Sequence, residues 1–268
     1  VASVARQVKF FHWEIEFPDV FTSDRCGFDA VVGNPPWDIV KPKSQEFFSD
    51  HDPVYRSYGK QKALEVQEEL FEQDPSLSVA CADYNSLFRA LNNWAKCNGD
   101  PYAMSLARGN AGKSLAKVWA THRNARIGLS DSLHPFQHQG RGDLSSYKLF
   151  VEQSMALLSE NGRFGMLLPA ALYTDAGSDE LRKLFLGRYT WEWLFSFENR
   201  NKIFEIHGSF KFAAVIVEKA KRSLPLNAAF MIRDLAKWES SDPPTFAFDT
   251  TLIDLFSPES KSVPAVSN

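Results

Sequence analysis

The sequence predicts an α/β fold interrupted by a largely helical insertion. From Asp143 onward, segments of helical period alternate with short β-branched runs, the pattern of strands crossed by helices. The run Phe28-Asp29-Ala30-Val31-Val32-Gly33 is a buried strand halted by glycine and two prolines, which cannot continue a hydrogen-bonded ladder. Residues 38–142 have a polar, interrupted texture with one long amphipathic stretch, and this marks the insertion.

Each element follows from local chemistry. In the insertion, Ala80 to Lys96 carries Leu87, Leu91 and Trp94 at helical spacing. From Asp143, the residues Leu144, Tyr147, Leu149, Phe150, Met155, Leu157 and Leu158 suit a helix that ends near Asn161-Gly162. A strand is predicted over Arg163 to Leu168, a helix over Asp179 to Leu186, and strands over Glu192 to Phe197 and Phe210 to Glu218. One more strand is predicted at Ala228 to Ile232, and a Ser- and Pro-bearing stretch from Ser257 reads as poorly ordered. The predicted organisation is a core of 1–37 and 143–235, an insertion of 38–142 and a tail of 236–268.

Composition limits the function classes. With 44% hydrophobic and 24% charged residues over 268 positions, the chain holds enough apolar material for a large folded domain. The longest apolar runs, around Phe164 to Leu172 and Phe212 to Val217, are far shorter than the roughly 20 residues of a membrane span. No signal-peptide pattern opens the sequence and its first residue is Val1 rather than Met, so an excised fragment is expected. Cys26, Cys81 and Cys97 show no CxxC spacing, which suits a reducing, cytoplasmic setting and no structural zinc. A net charge of -3 means that any nucleic-acid contact is made by a local basic patch.

The chemistry-bearing motif is Asn34-Pro35-Pro36-Trp37, directly after the first strand. Each proline removes a backbone donor and holds the preceding residue extended, so carbonyl oxygens can face one spot. That arrangement suits an amine on a conjugated ring, whose delocalised lone pair is a poor nucleophile. If the Asn34 side-chain oxygen and the Pro35 carbonyl each accept an amine hydrogen, electron density stays on nitrogen without a general base. Trp37 offers a flat face for a base drawn out of a duplex, and such stacking is worth roughly 1 to 3 kcal/mol.

In this motif the sequence resembles the amino-group (adenine N6) DNA methyltransferases linked to type II restriction-modification and phage-defence systems. Phe28 to Trp37 resembles the fourth motif of that family, Asp143 to Leu158 the fifth and Gly162 to Pro169 the sixth. Trp193 to Phe204, followed by Phe210 to Val217, resembles the seventh and eighth. The resemblance implies the later half of a Rossmann-like methyltransferase sheet, mixed and closed by an antiparallel hairpin, with S-adenosylmethionine as cofactor and double-stranded DNA as substrate. It implies that Asn34 and Pro35 adjoin the cofactor, and that an eighth-motif aromatic, Phe204 first and Phe210 second, packs on the base opposite Trp37. A restriction or specificity subunit, or a fused domain, is the implied partner. The family's fourth motif most often ends in Tyr or Phe, so Trp37 changes the pocket size. The glycine-rich first motif that binds the cofactor is not found among the 33 residues before Asn34, and the isolated chain is expected to be inactive.

Other signals are weighed against this reading. Arg108, Lys113, Lys117, Arg123 and Arg126, with Lys202 and Lys211 farther on, are candidate DNA contacts. Ala107 to Ser114 satisfies a loose phosphate-loop pattern, but the preceding Tyr102 to Leu106 is short and poor in β-branched residues. His134 and His138 are separated by Pro135 and lack a third ligand, so no metal is assigned. Glu259-Ser260-Lys261 only faintly matches a nuclease motif. Two other function classes share the motif or the fold: methyltransferases of protein glutamine or RNA, and a non-catalytic methylase-like module that binds DNA or a partner.

Overall fold

The computed structural model describes residues 9, 11–22, 26–97, 136, 138–140, 143–240 and 245–266. The chain divides into two compact units, one of Val1–Trp37, Arg123–Gly142 and Ser146–Asn268, the other of Asp38–His122 and Asp143–Ser145.

The first unit is built on a mixed six-stranded sheet of order β1-β2-β4-β3-β5-β6, α/β in class with the expected antiparallel hairpin. β1 (Phe28–Gly33) is an edge strand and not the buried one expected, with none of its six residues buried, and runs parallel to β2 (Leu158–Pro169), with Val31 opposite Phe164 and Gly33 opposite Met166. β2 pairs antiparallel with β4 (Lys211–Glu218), and β4 with β3 (Thr190–Glu198). β5 (Leu226–Ile232) lies parallel to β3, and β6 (Phe246–Phe248) closes the row antiparallel to β5. The interior strands β2 and β4 are well covered: Val215 and Val217 of β4 and Phe164 and Leu168 of β2 are fully buried, as expected where both faces of a sheet are covered.

Helix α1 (Ser146–Leu157) presents Tyr147, Val151 and Met155 to the core at four-residue spacing, one stripe of a helix. It stops at Leu157, short of the expected Asn161-Gly162, because the chain already pairs with β1 at Leu158. Residues 159–162 then loop out: Phe28 faces Leu158, but Ala30 faces Arg163. Asn161 takes a left-handed conformation (φ 66°). A Cβ on Gly162 would meet the Phe28 and Ser159 oxygens at 2.9 Å, and one on Gly27 (φ 138°) would meet Ser159 N at 2.5 Å. Two glycines therefore permit the close crossing that periodicity alone reads as continuous helix.

The stretch from Ser257, expected to be poorly ordered, is packed instead. Helix α2 (Asp179–Gly187) carries Arg182, fully buried, whose Nε donates to Ser260 O (2.8 Å) and Nη1 to Leu172 O (2.6 Å). Val263 N donates to Tyr173 O (3.1 Å), and Val263 and Ile253 are buried with the core. The serines act here as turn hydrogen-bonders, Ser257 with Ser260 at 2.6 Å and Ser260 with Ser262 at 2.9 Å.

The second unit is helical among its described residues. Phe48, Tyr55, Val66 and Leu77 form its own small core. The predicted amphipathic stretch lies in a 23-residue helix, Pro75–Cys97, but Leu87 and Leu91 are exposed. The inward stripe runs through Leu77, Cys81, Tyr84, Phe88, Asn92 and Ala95. It is set by Tyr84 and Asn92, whose side chains bond Lys43 N and Val40 O, and whose polarity hid them from a search for apolar spacing. No helix among the described residues is long and apolar enough to cross a membrane.

Replacing Arg182 by Met removes the donors to one buried and one half-buried carbonyl and is expected to destabilise the chain by about 2–4 kcal/mol. Urea unfolding of the variant checks this, and an unchanged midpoint would mean that those contacts do not anchor residues 257–266.

Candidate functional site

β1 ends at Gly33, opposite Met166, while β2 runs on to Pro169. Asn34 is exposed and Pro35 buried, so the motif leaves the sheet at the carboxyl end of its parallel strands, where open α/β sheets bind ligands. Trp37 packs on the core of the same unit. Its ring lies 6.2 Å from that of Phe212, tilted by 32°. Its Nε1 is buried and meets no acceptor among the described residues.

Phe212 organises the rest. It pairs across strands with Phe197, the rings stacked at 5.3 Å and 11°, and with Pro169 on the other side. Phe204, 37% exposed, leans on it edge-on at 5.0 Å and 61°. Trp37 and Phe204 therefore share Phe212 as a floor, although 167 positions separate them in sequence. Phe210 is half exposed, and its backbone closes the hairpin by accepting from Asn199 N (3.0 Å).

The loop that carries Phe204 is held from inside by Asn199, which is fully buried. Its Nδ2 donates to the carbonyls of Phe204 (3.0 Å) and Ile206 (2.9 Å), and its Oδ1 accepts from Phe204 N (2.9 Å). One side chain thus replaces the ladder that the loop lacks. Sequence reasoning passed over Asn199, although an Asn at a strand end before a loop of mixed polarity is its visible signal. Beside it, the buried Glu198 carboxylate receives Lys211 Nζ (3.0 Å), Arg233 Nε (2.7 Å) and Arg200 Nε (3.4 Å). The hydrogen bond from Lys211, joined by that from Arg233, holds the Glu198 carboxyl below its usual range in spite of burial.

Of the other candidates, Lys202 is exposed in a left-handed turn at φ 52°, and Lys211 is engaged by Glu198. Arg108, Lys113, Lys117, Arg123 and Arg126 lie outside the described residues, as do the 107–114 loop and His134. His138 donates its backbone N–H to Glu152 (2.8 Å). Among the described residues no group of three side chains is placed to hold a metal ion.

A cavity of about 610 Å³ lies beside β1, with Asn34 and Pro35 in its wall together with Trp13, Phe28, Phe150 and Met166. Its polar lining is Asn34, Gln153 and Ser154. S-adenosylmethionine needs a carboxylate for its ribose hydroxyls and polar partners for its amino-acid end, and no lining residue is charged. The lining of this cavity therefore does not by itself fit the cofactor.

No curated protein sequence matches the chain. Among solved structures it is similar to a putative class I S-adenosylmethionine-dependent methyltransferase from Listeria monocytogenes (18% identity over 34% of this chain and 28% of that one, TM-score 0.28). It is also similar to a type I restriction-modification methyltransferase subunit from Streptococcus thermophilus (13% identity, 49% of this chain and 33% of that one, TM-score 0.36). A third is the modification subunit of a putative type I restriction enzyme from Vibrio vulnificus (9% identity, 41% and 28%, TM-score 0.33). The chain spans a third or less of the length of each. The family is decided by sequence: a family model described as Eco57I restriction-modification methylase matches residues 2–70 and 129–204, more than half of the chain. The chain belongs to the Eco57I restriction-modification methylase family.

Proposed function

We propose that this chain carries the acceptor site of a site-specific DNA adenine methyltransferase, in which the exocyclic amine of a flipped adenine is held at Asn34-Pro35-Pro36-Trp37. The observation that supports this most is the shared floor: Trp37 and Phe204 both rest on Phe212 at the strand end from which Asn34 emerges. An edge-on aromatic and a tilted indole on one base plate make a slot for a planar ring.

The chemistry asked of the chain is modest. The Asn34 side-chain oxygen and the Pro35 carbonyl accept the two amine hydrogens, which concentrates the nitrogen lone pair and aims it. Prolines at 35 and 36 fix the backbone, so little reorganisation accompanies capture of the base. When bound, S-adenosylmethionine supplies an electrophilic methyl group; in this reading its cradle belongs to residues other than those described. Duplex DNA is the substrate, and a restriction or specificity subunit, or a fused domain, supplies sequence recognition. A second reading, a methylase-like module that binds DNA without transfer, is favoured by the uncharged lining of the cavity beside β1.

Transfer of a labelled methyl group from S-adenosylmethionine to duplex DNA, measured with the residues that supply the cofactor cradle present, separates the two readings. Asn34→Ala is expected to lower the rate by about 10²–10³-fold, and a rate equal to wild type would refute the role of Asn34. Trp37→Ala is expected to weaken base capture by about 1–3 kcal/mol, seen as a smaller rise in the fluorescence of 2-aminopurine placed at the target position. Asn199→Ala should loosen the Phe204 loop, raising hydrogen exchange of the Phe204 amide about 10- to 100-fold while the sheet stays protected; unchanged exchange there would show that the loop does not depend on Asn199.

A further inference from the structure

Ion pairs collect at both ends of the sheet, and the two collections differ in balance. At the end away from Asn34, Arg163 and Arg222 meet Glu192 and Glu218, two cations for two carboxylates. At the end where Asn34 emerges, one carboxylate, Glu198, gathers three cations: Arg200 from the hairpin loop, Lys211 from the start of β4 and Arg233 from just after β5. A single pairing would neutralise a buried carboxylate. Three leave two positive charges in excess, on side chains that stay 66%, 50% and 46% exposed.

The donors left over point to an anion. Arg233 donates to Glu198 from Nε and Arg200 approaches it with Nε at 3.4 Å, and no hydrogen bond from the terminal nitrogens of either is made among the described residues, which leaves four N–H groups on each. Lys211 spends one of three ammonium hydrogens on Glu198. A buried carboxylate that draws three flexible cations together has already met part of the entropy cost of gathering them around a second oxyanion.

Placement selects the kind of anion. Glu198 and Lys211 are opposed in the ladder and immediately adjoin Phe197 and Phe212, the floor of the aromatic slot. Successive strand residues face opposite sides, so the cations and the slot occupy the two sides of one strand end. A nucleotide whose base enters the slot would carry its flanking phosphates across that end.

We propose that Arg200, Lys211 and Arg233, gathered by buried Glu198, form a seat for a backbone phosphodiester of the DNA strand that presents its base to Trp37 and Phe204. This rests on the reading of the chain as one that acts on DNA. Phosphate contacts fix register without reading sequence, so the seat is a positioning device.

The test is fluorescence anisotropy of a labelled duplex titrated with the 268-residue chain at several potassium chloride concentrations. Arg200→Gln, Lys211→Gln and Arg233→Gln are each expected to weaken binding alike on unrelated duplex sequences and to lower the salt slope of log K by about 1. Arg163→Gln, at the far end of the sheet, is expected to leave both unchanged. Absence of duplex binding, slopes equal to wild type in folded variants, or an equal loss with Arg163→Gln would overturn the seat. So would displacement of the duplex by millimolar inorganic phosphate at constant ionic strength, which would mark a site for free phosphate. A seat that passes while 2-aminopurine shows no base capture would leave the seat standing and refute the adenine-methylating function.

Discussion

The structure turns on a strand that stops early. β1 cannot continue past Gly33, because Asn34 leads into two prolines that bring no backbone donor to the ladder. Its neighbour β2 does continue, from Met166 to Pro169. The step that results frees Asn34 from strand pairing and brings Trp37 across to Phe212, the residue that pairs with the last position of β2. Without the stop, Trp37 would be one more alternating strand residue, and the alignment of slot and polar acceptor would be lost.

Phe212 then has to satisfy three neighbours at once. Its stack on Phe197 belongs to the hairpin, its tilt against Trp37 belongs to the motif loop, and its edge contact with Phe204 belongs to the loop that Asn199 holds. Each such aromatic pair is worth about 0.5–1.5 kcal/mol beyond simple burial, so three of them on one ring hold it firmly in place. What remains adjustable is Phe204, the most exposed ring of the set, and its freedom is limited by hydrogen bonds to its own N–H and C=O.

Five of the six strands were legible because their signals are local, whereas β6, three residues within the expected tail, was not. β-branched residues in Phe28–Gly33 and Lys211–Glu218, and the alternation in Arg163 to Leu168, lie within single elements and need no distant partner. What escaped notice depends on partners far away in the chain. The packing of Ser257 to Val263 follows from Arg182, 78 positions before Ser260, and composition alone reads such a stretch as solvated. The phase of the insertion's long helix is set by Tyr84 and Asn92, which reach backbone atoms at Lys43 and Val40, so a stripe chosen on Leu87 and Leu91 turned toward solvent. In the site, Asn34 to Trp37 announce themselves as a motif, whereas Asn199 and Glu198 are single polar residues whose importance appears only once the hairpin brings their partners to them.

That contrast explains how a chain with a net charge of -3 can carry a cationic edge. Overall charge sets only the far field, which salt screens within roughly 10 Å. Close to the sheet end the arrangement of a few side chains dominates, and burial of Glu198 is the element that makes it durable. Desolvation makes an unpaired carboxylate costly, so the cations are drawn to it, yet its low exposure leaves the outer donors of the arginines turned to solvent. One carboxylate offsets one charge wherever it sits, so the excess follows from three cations meeting one acid, and burial of that acid adds a fixed position for all three.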